Sequence, residues 1–329
     1  MKHTHTQLAS LTAASLLLLG LISATYATAA ASTPAAPAVP AARAATLAAA
    51  ASPCGTVRSP GRYKHVIWVW LENHSYGTII GSRKAPYINR LAADCGLATN
   101  YHNITHPSLP NYIAATSGLK YSQLATFASD CAPAAGCTTT APSIFGQGET
   151  WRAYEESMPS NCHRANSGKY AVRHNPPPYY AKLRGCSSFD VPYSRLATDL
   201  ARGRLPAFSF ITPNLTDDMH DGTVADGDSW LAGALPKILR SPEYRNGSTA
   251  VFITWDEGEG GASQRCAANT SDVGCRVATI VVSPSTPRGT RSARLFSHYS
   301  LLATAEQLLR LRRLGQAATA ATMTTAFRL

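Results

Sequence analysis

Carboxylate and amide side chains stand directly after three apolar segments of the chain. Each segment is typical of a buried strand, and the active sites of open α/β sheets form at the carboxyl ends of such strands. Carboxylates that meet at one sheet edge repel one another, and a divalent cation with hard oxygen ligands relieves that repulsion. We therefore predict that four of these side chains share a metal ion: Glu72, Asn73, Asp256 and Glu257.

The third apolar segment leads into another acidic stretch, which contains Asp218 and His220. A single carboxylate after a strand would be interpreted as a solvated loop residue, so the prediction depends on the repetition at three strand ends. Asp272 and Glu306 have no such context, and we expect them on the surface.

Ser108 stands two residues before Pro110, and proline is favoured in the first turn of a helix. Backbone N–H groups at a helix N-terminus favour a phosphate or an oxyanion. A hydroxyl beside a metal ion at that point can ionise and attack phosphorus. A simple helix cap is the alternative interpretation, because serine is a preferred capping residue, and the two roles are compatible.

An ordered set of motifs resembles the bacterial phosphoesterase family, which contains secreted acid phosphatases and phospholipases C and belongs to the alkaline phosphatase superfamily. The resemblance runs from about Tyr63 to Leu311. Its motifs are Glu72-Asn73, Thr105 to Tyr112, Tyr170 to Pro176, Pro213-Asn214, Asp218 to Asp221, Trp255 to Glu257 and His298 to Leu302.

The resemblance implies a role for each matching residue. Ser108 would be the nucleophile and would complete the metal shell. His106 would contact the phosphoryl oxygens, with Asn73 and His174 as further substrate contacts, although His174 can also be interpreted as an ordinary loop imidazole. The other side of the site, where related two-metal enzymes hold a second ion, would be lined by Asp218, His220 and His298.

The cofactor implied is a divalent metal ion. Oxygen ligands suit Ca²⁺, Mg²⁺ or Mn²⁺, and the imidazoles of His220 and His298 would admit a softer ion such as Zn²⁺.

Two departures favour the compact acid phosphatases over the phospholipases. The first motif reads Glu72 to Gly77 as ENHSYG instead of ENRSFD, and no Phe or Asp-His follows Glu257-Gly258. We expect an acid phosphatase that hydrolyses phosphomonoesters through a phosphoserine, with His220 and Asp218 protonating the leaving alcohol. The alternatives are a phospholipase C-type phosphodiesterase and a binding protein on an inactive phosphatase scaffold. The expected partner is a phosphorylated small molecule or lipid.

The elements that must position these side chains alternate between strands and helices. Continuous apolar runs predict strands over residues 66–71, 207–211, 250–255 and 277–282. Helical spacing predicts helices over residues 87–95, 110–116, 229–239 and 298–311. The pattern indicates an α/β fold with a mostly parallel central sheet and helices on both faces, and the resemblance implies an alkaline-phosphatase-like arrangement. Residues 122–148 and 160–193 fit this pattern poorly, and we expect disulfide-pinned loops or a small cap there.

The chain has eight cysteines and no C-x-x-C pair, which favours four disulfides over a thiolate metal site. The sequence does not determine their connectivity. The cheapest local closures are Cys131 with Cys137, Cys162 with Cys186 and Cys266 with Cys275, which leave Cys54 with Cys95.

The N-terminus has the order of charge, apolar run and small residues that is typical of a secretory signal peptide. We predict a signal peptide over residues 1–30, an Ala/Pro-rich flexible leader over 31–52 and a phosphoesterase domain over 53–329. A membrane anchor is the alternative, but the apolar run is short for a span of about 20 residues. The mature protein is therefore expected outside the cytoplasm, extracellular or periplasmic, without integral membrane association.

The net charge of +11 falls almost wholly on the mature part, and a basic surface attracts anions such as phosphorylated substrates. Arg310, Arg312 and Arg313 are interpreted as a solvated helix end. They lack interleaved aromatic residues, so no nucleic-acid partner is expected. The sequence makes no prediction of oligomeric state.

Overall fold

The computed structural model describes residues 52–60, 62–260, 264–267, 269 and 271–329. The predicted signal peptide over residues 1–30 lies outside the described residues, as does the predicted leader over 31–52 up to residue 51.

In this part of the chain nine strands form one sheet. They are β1 (His65–Leu71), β2 (Gly96–His102), β3 (Trp151–Glu155), β4 (Asp190–Pro192), β5 (Phe208–Thr212), β6 (Thr249–Trp255), β7 (Arg276–Val282), β8 (Thr290–Ser292) and β9 (Phe296–Ser297). The strand order is β4-β3-β5-β1-β6-β7-β2-β8, and β9 also pairs with β2. The predicted α/β fold with a mostly parallel sheet is confirmed.

The helices in the same part of the chain cover both faces of the sheet. They are α1 (Tyr76–Ile79), α2 (Pro86–Asp94), α3 (Ser108–Ser117), α4 (Cys186–Phe189), α5 (Ser194–Ala201), α6 (Val224–Leu239), α7 (Pro242–Arg245), α8 (His298–Leu309) and α9 (Thr324–Phe327). Helix α3 packs on α8, and α2 packs on α6. None of these helices is both long enough and apolar enough to span a bilayer.

The central strands β1, β5 and β6 are apolar because both of their faces are covered. Trp68 of β1 pairs in register with Phe210 on one side and Phe252 on the other, and its indole ring meets Phe208 edge-on at 4.8 Å. Such rings bury large apolar areas, which stabilises the middle of the sheet. The four predicted strands are confirmed in position.

Strand β7 differs from the prediction in direction, because it runs antiparallel to both of its neighbours, β6 and β2. An apolar run indicates that both faces of a strand are buried. It does not indicate whether the strand runs parallel or antiparallel to its neighbours. The described residues between β6 and β7 also contain no crossover helix of the kind that a parallel pair requires. The carboxyl end of β7 therefore lies at the opposite edge from the other strand ends.

The two long loops are pinned as predicted. Cys131–Cys137 closes the first and Cys162–Cys186 the second, and the remaining disulfides are Cys54–Cys95 and Cys266–Cys275. The loops also bind each other, because the Thr139 N–H donates to the Tyr179 carbonyl at 2.8 Å and the Ala181 N–H donates to the Thr139 carbonyl at 2.9 Å.

One surface prediction is wrong: Glu306 of α8 is fully buried. Its Oε1 accepts hydrogen bonds from the Leu314 N–H at 2.9 Å and the Gln147 amide at 3.3 Å. The carboxylate therefore ties the end of α8 to the chain that follows it.

Helix α3 ends at Gly118, whose φ of +71° lies in the left-handed region that favours glycine. A Cβ at this position would lie 2.3 Å from the Leu314 carbonyl oxygen, so the close approach of the C-terminal segment also requires glycine.

Candidate active site

The ends of β1 and β6 and the segment after β5 meet at one edge of the sheet. The Glu72 N–H donates to the Asp218 carbonyl at 2.8 Å, and the Asp256 N–H donates to the Leu71 carbonyl at 2.9 Å. The Asn73 N–H then donates to Asp256 Oδ1 at 3.0 Å. These bonds bring the predicted residues of three strand ends together.

Ser108 is the first residue of α3, which delivers its side chain to the same place. Its Oγ donates a hydrogen bond to Glu72 Oε2 at 3.0 Å, and the serine is buried. The predicted nucleophile and the first predicted metal ligand are therefore in direct contact.

Glu72 is fully buried in the site. Its Oε1 accepts a hydrogen bond from the Tyr112 hydroxyl, and its Oε2 lies 3.4 Å from His174 Nε2. The rings of Tyr112 and His174 are stacked, with centroids 5.6 Å apart. Burial raises the pKa of Glu72 well above its ordinary value, and the neighbouring Asp256 and Asp218 raise it further.

Asp256 and Glu257 form the second acidic pair. Burial, followed by the charge of Glu257, raises the pKa of Asp256 to about 7, and burial raises the pKa of Glu257 to about 8. Glu257 Oε2 lies 3.0 Å from His106 Nδ1 and accepts a hydrogen bond from the Asn111 amide at 3.3 Å. Burial lowers the pKa of His106, so its ring favours the neutral form.

Asp218 connects the acidic cluster to the imidazole of His174 and to the backbone of His220. Its Oδ2 lies 3.1 Å from His174 Nδ1, and its Oδ1 accepts the backbone N–H of His220 at 2.7 Å. Burial raises the pKa of Asp218 to about 8 and lowers that of His174 well below its ordinary value. The partly exposed His220 ring lies between Asp221, 2.6 Å from its Nδ1, and the Arg173 guanidinium, 3.0 Å from its Nε2.

The donor set fits a divalent cation. Among the described residues, Asn73 Oδ1 and Asp256 Oδ2 are buried without a hydrogen-bond partner, which is costly unless a cation or a water satisfies them. Ligand atoms of Glu72, His174 and His220 also lie within 4.8 Å of one another. Two imidazoles therefore lie beside the Glu72 carboxylate. The metal ligands predicted from the sequence were carboxylates, an amide and a serine.

His298 lies elsewhere than predicted. It is fully buried, its Nε2 donates to the Asp256 carbonyl at 2.6 Å, and its Nδ1 accepts from the Tyr101 hydroxyl at 3.0 Å. Burial lowers its pKa to about 4. Both ring nitrogens are engaged, Nε2 by the backbone of Asp256 and Nδ1 by Tyr101, so His298 positions a candidate ligand instead of lining the phosphate site.

Asp130 is a neighbour of the site that the sequence analysis missed. Its Oδ1 accepts the Leu109 N–H at 2.9 Å, in the first turn of α3, and its charge raises the pKa of Glu257. Because Pro110 has no N–H, this turn offers an anion fewer backbone donors than predicted. Its position directly before Cys131, in a disulfide loop, was the only available signal.

The chain is similar in sequence to known phosphatases. The profile of the Phosphoesterase family matches residues 81–312. A phosphatidylinositol-3-phosphatase of Mycobacterium tuberculosis is 30% identical over 264 residues, which cover 80% of this chain and 82% of the relative. An acid phosphatase of Aspergillus fumigatus is 27% identical over 257 residues, covering 71% of this chain and 52% of the relative. The chain thus spans about half the length of this fungal relative.

Two solved structures are similar in fold. A protein of the alkaline phosphatase superfamily from Vibrio parahaemolyticus superposes with a TM-score of 0.51 at 12% identity, covering 83% of this chain and 73% of that one. Murine ectonucleotide pyrophosphatase/phosphodiesterase 5 gives a TM-score of 0.51 at 11% identity, covering 76% and 96%. The alkaline-phosphatase-like architecture is therefore confirmed.

Proposed function

The chain belongs to the Phosphoesterase family, and on that premise we propose that it is a secreted, metal-dependent acid phosphatase that hydrolyses phosphomonoesters through a phosphoserine. The observation that carries the proposal is the 3.0 Å contact between Ser108 Oγ and Glu72 Oε2, within a buried acidic cluster. The names of the bacterial and fungal relatives support a phosphoric ester as substrate. The four disulfides and the sequence of residues 1–30 support export.

The metal would be held by Glu72, Asn73, Asp256 and Glu257, with Ser108 completing its shell. The unsatisfied oxygens of Asn73 and Asp256 support this assignment. Ca²⁺, Mg²⁺ and Mn²⁺ suit the oxygens, and the imidazoles beside Glu72 admit Zn²⁺. When bound, such an ion supplies positive charge that stabilises an ionised serine and the phosphoryl group in transfer.

The side chains of the protein orient the reaction. Glu72 accepts the hydrogen bond of Ser108 and fixes the direction of Oγ. Ser108 attacks phosphorus, the Oγ–P bond forms and the ester O–P bond breaks. His220 is the proposed acid that protonates the leaving alcohol, a role in which its Nε2 exchanges the Arg173 guanidinium for the leaving group. Asp218 positions the residue by accepting its backbone N–H. Water then attacks the phosphoserine: a new O–P bond forms as the Oγ–P bond breaks, inorganic phosphate leaves, and Oγ takes back a proton from the attacking water.

The phosphoryl oxygens would meet His106, Asn73 and His174. Among the described residues, His106 Nε2 is buried without a hydrogen-bond partner, which supports a role in contacting substrate. Its other ring nitrogen is fixed by Glu257, so the direction of the imidazole is set before substrate binds.

The test is Ser108→Ala. We expect hydrolysis of p-nitrophenyl phosphate to fall by at least about 10³-fold, because the nucleophile is lost, while the thermal unfolding curve is retained. Ser117→Ala is the matched control, since Ser117 ends the same helix and its hydroxyl donates to the Ile113 carbonyl and accepts the Leu119 N–H. Wild-type turnover by Ser108→Ala would contradict the assignment.

The alternatives are separated by substrate. Parallel assays on p-nitrophenyl phosphate, phosphatidylinositol 3-phosphate and phosphatidylcholine distinguish a monoesterase from a phospholipase C-type phosphodiesterase. Cleavage of phosphatidylcholine alone would support the phosphodiesterase. Retention of phosphate without turnover of any substrate, in metal-replete protein, would support a binding protein.

A further inference from the structure

A partly open pocket of about 160 Å³ adjoins the candidate active site. Its walls come mainly from two segments that are distant in sequence, and Gln264 adds a third contact. One contributes Thr105, His106 and Pro110, and the other contributes Tyr121, Leu124 and Ala128.

The pocket and the acidic cluster share a wall. His106 lines the pocket while its Nδ1 lies 3.0 Å from Glu257. Pro110 belongs to the first turn of α3, which begins at Ser108. A group that fills the pocket would therefore contact the imidazole proposed to bind the phosphoryl oxygens and the first turn of the helix that begins at the proposed nucleophile.

The second wall also continues into the site. The chain from Tyr121 runs through two short 3-10 turns to Asp130, whose carboxylate accepts the Leu109 N–H. The Arg265 guanidinium lies 5.0 Å from the centroid of the Tyr121 ring, a contact that stabilises the ring in the wall. One continuous segment therefore borders both the pocket and the first turn of α3.

The size and lining of the pocket indicate what it accepts. Its volume is close to that of an apolar cavity of about 150 Å³ that binds benzene. Most of the surface that faces the pocket is apolar, with Pro110, Leu124, Ala125 and Ala128 contributing no polar side-chain atoms. The polar side chains in the lining are those of Thr105, His106, Tyr121, Ser122 and Gln264. A sugar or inositol ring would lose water from its hydroxyl groups there without enough partners to replace it. An acyl chain would exceed the volume.

Building on the proposed function, we propose that this pocket receives the aromatic ring of an aryl phosphomonoester. The Oγ–P bond of the phosphoserine forms as the aryl O–P bond breaks, and the phenolate leaves with the bonding electron pair and takes a proton from His220 or solvent. Phenols ionise near pH 10, so this leaving group departs more readily than an alcohol.

The test fills the pocket. Ala128 is exposed, so Ala128→Phe places a ring in the pocket without disturbing the core. Ala135→Phe is the matched control, because Ala135 is exposed in the neighbouring disulfide loop and does not line the pocket. The substrates are phenyl phosphate, a phosphotyrosine tripeptide and glycerol 2-phosphate. The measured quantity is kcat/KM, which reports steps up to the phosphoserine.

We expect Ala128→Phe to lower the preference for aromatic substrates over glycerol 2-phosphate by about 10- to 100-fold, the equivalent of losing one buried ring. Ala135→Phe should keep the wild-type preference. A loss confined to phenyl phosphate would identify free aryl phosphates as the source, and a loss on both would include phosphotyrosyl peptides. An unchanged preference in Ala128→Phe would overturn the inference.

A binding measurement separates the pocket from the proposed function. Calorimetry on metal-replete protein with phenylphosphonate and methylphosphonate needs no turnover. We expect phenylphosphonate to bind wild-type protein at least about tenfold more tightly, and Ala128→Phe to remove the difference. Equal binding to wild-type protein would overturn the inference whatever the activity. Failure to hydrolyse any phosphomonoester, with the binding preference intact, would contradict the proposed function alone.

Discussion

Glu72 receives hydrogen bonds from two hydroxyl groups of one helix, Ser108 and Tyr112 of α3. The Ser108 hydroxyl is the proposed nucleophile and donates to Oε2, and the Tyr112 hydroxyl donates to Oε1. Groups that orient a metal ligand commonly change metal affinity or activity by about 10- to 100-fold when removed. Tyr112 is therefore a positioning residue that can be tested separately from the nucleophile.

We expect Tyr112→Phe to raise the metal concentration that gives half-maximal activity by about tenfold, because Glu72 loses a hydrogen bond while the ring stack with His174 remains. Titration of activity with Mn²⁺ or Mg²⁺ measures the effect. Tyr180→Phe is the matched control, since its hydroxyl bonds Thr116 on the far turn of the same helix. An equal shift in both variants would indicate a general weakening of α3.

The proposed metal site can be tested by removing the ion. Exhaustive dialysis against a strong chelator should abolish turnover, because it removes the cation that Asn73 Oδ1 and Asp256 Oδ2 are proposed to bind and with it the positive charge beside Ser108. Return of one ion at a time, Mg²⁺, Mn²⁺, Ca²⁺ or Zn²⁺, should identify the ion that restores it. Full activity in protein whose metal content is measured as zero would contradict metal dependence.

Residue types and their order in the chain could predict that Glu72, Asn73 and Asp256 converge, because each follows a strand that ends at the same sheet edge. The surroundings of a single side chain could not be predicted. The engagement of both nitrogens of His298 depends on Tyr101 and on the Asp256 carbonyl, which only the folded chain brings to the ring.

At the scale of elements, α8 owes part of its position to a buried carboxylate. Burial raises the pKa of Glu306 from its ordinary value of 4.5 to about 7, although the Leu314 N–H lowers it. Between these values the folded chain keeps a proton that the unfolded chain releases. The stabilisation from Glu306 is therefore complete below pH 4.5 and is lost as the pH rises through 7.

We expect Glu306→Gln to remove this pH dependence, because the amide is neutral at every pH. The urea midpoint of Glu306→Gln minus that of wild type should therefore be larger at pH 8 than at pH 5. Glu149→Gln, at an exposed position, serves as the control. A difference between Glu306→Gln and wild type that stays constant with pH would show that the carboxyl does not titrate in this range.

Strands made of continuous apolar residues could be predicted from the sequence, whereas β2 and β3 could not. β2 reads GLATNYH and β3 reads WRAYE, so polar residues interrupt both apolar patterns. In β3 the polar residue Arg152 is satisfied by an ion pair with Asp199 of α5, at 3.2 Å. Such a partner lies far away in sequence, and local pattern therefore gives no sign of it.

At the scale of the whole molecule, the disulfides differ in the length of chain they close. Cys54–Cys95 spans 41 residues and Cys131–Cys137 spans 6. A longer closed loop restricts the unfolded chain more strongly, so the longer bond should contribute more to stability.

We expect the double variant Cys54→Ser/Cys95→Ser to lose about 4 kcal/mol of unfolding free energy, and Cys131→Ser/Cys137→Ser about 2 kcal/mol. Urea unfolding of the two variants and the wild type measures both values, and each variant serves as the comparison for the other. A larger loss from the shorter bond would mean that Cys131–Cys137 acts mainly by holding native contacts, such as that of Asp130 with α3.

All four disulfides join cysteines that are consecutive in the chain. For a polypeptide that passes through a translocation channel N-terminus first, the second cysteine of each pair emerges when its partner is the one earlier cysteine still unpaired. An oxidase can then form the four disulfides in chain order, and no non-native disulfide has to be isomerised. The chain is therefore suited to maturation in compartments that oxidise thiols but lack a disulfide isomerase.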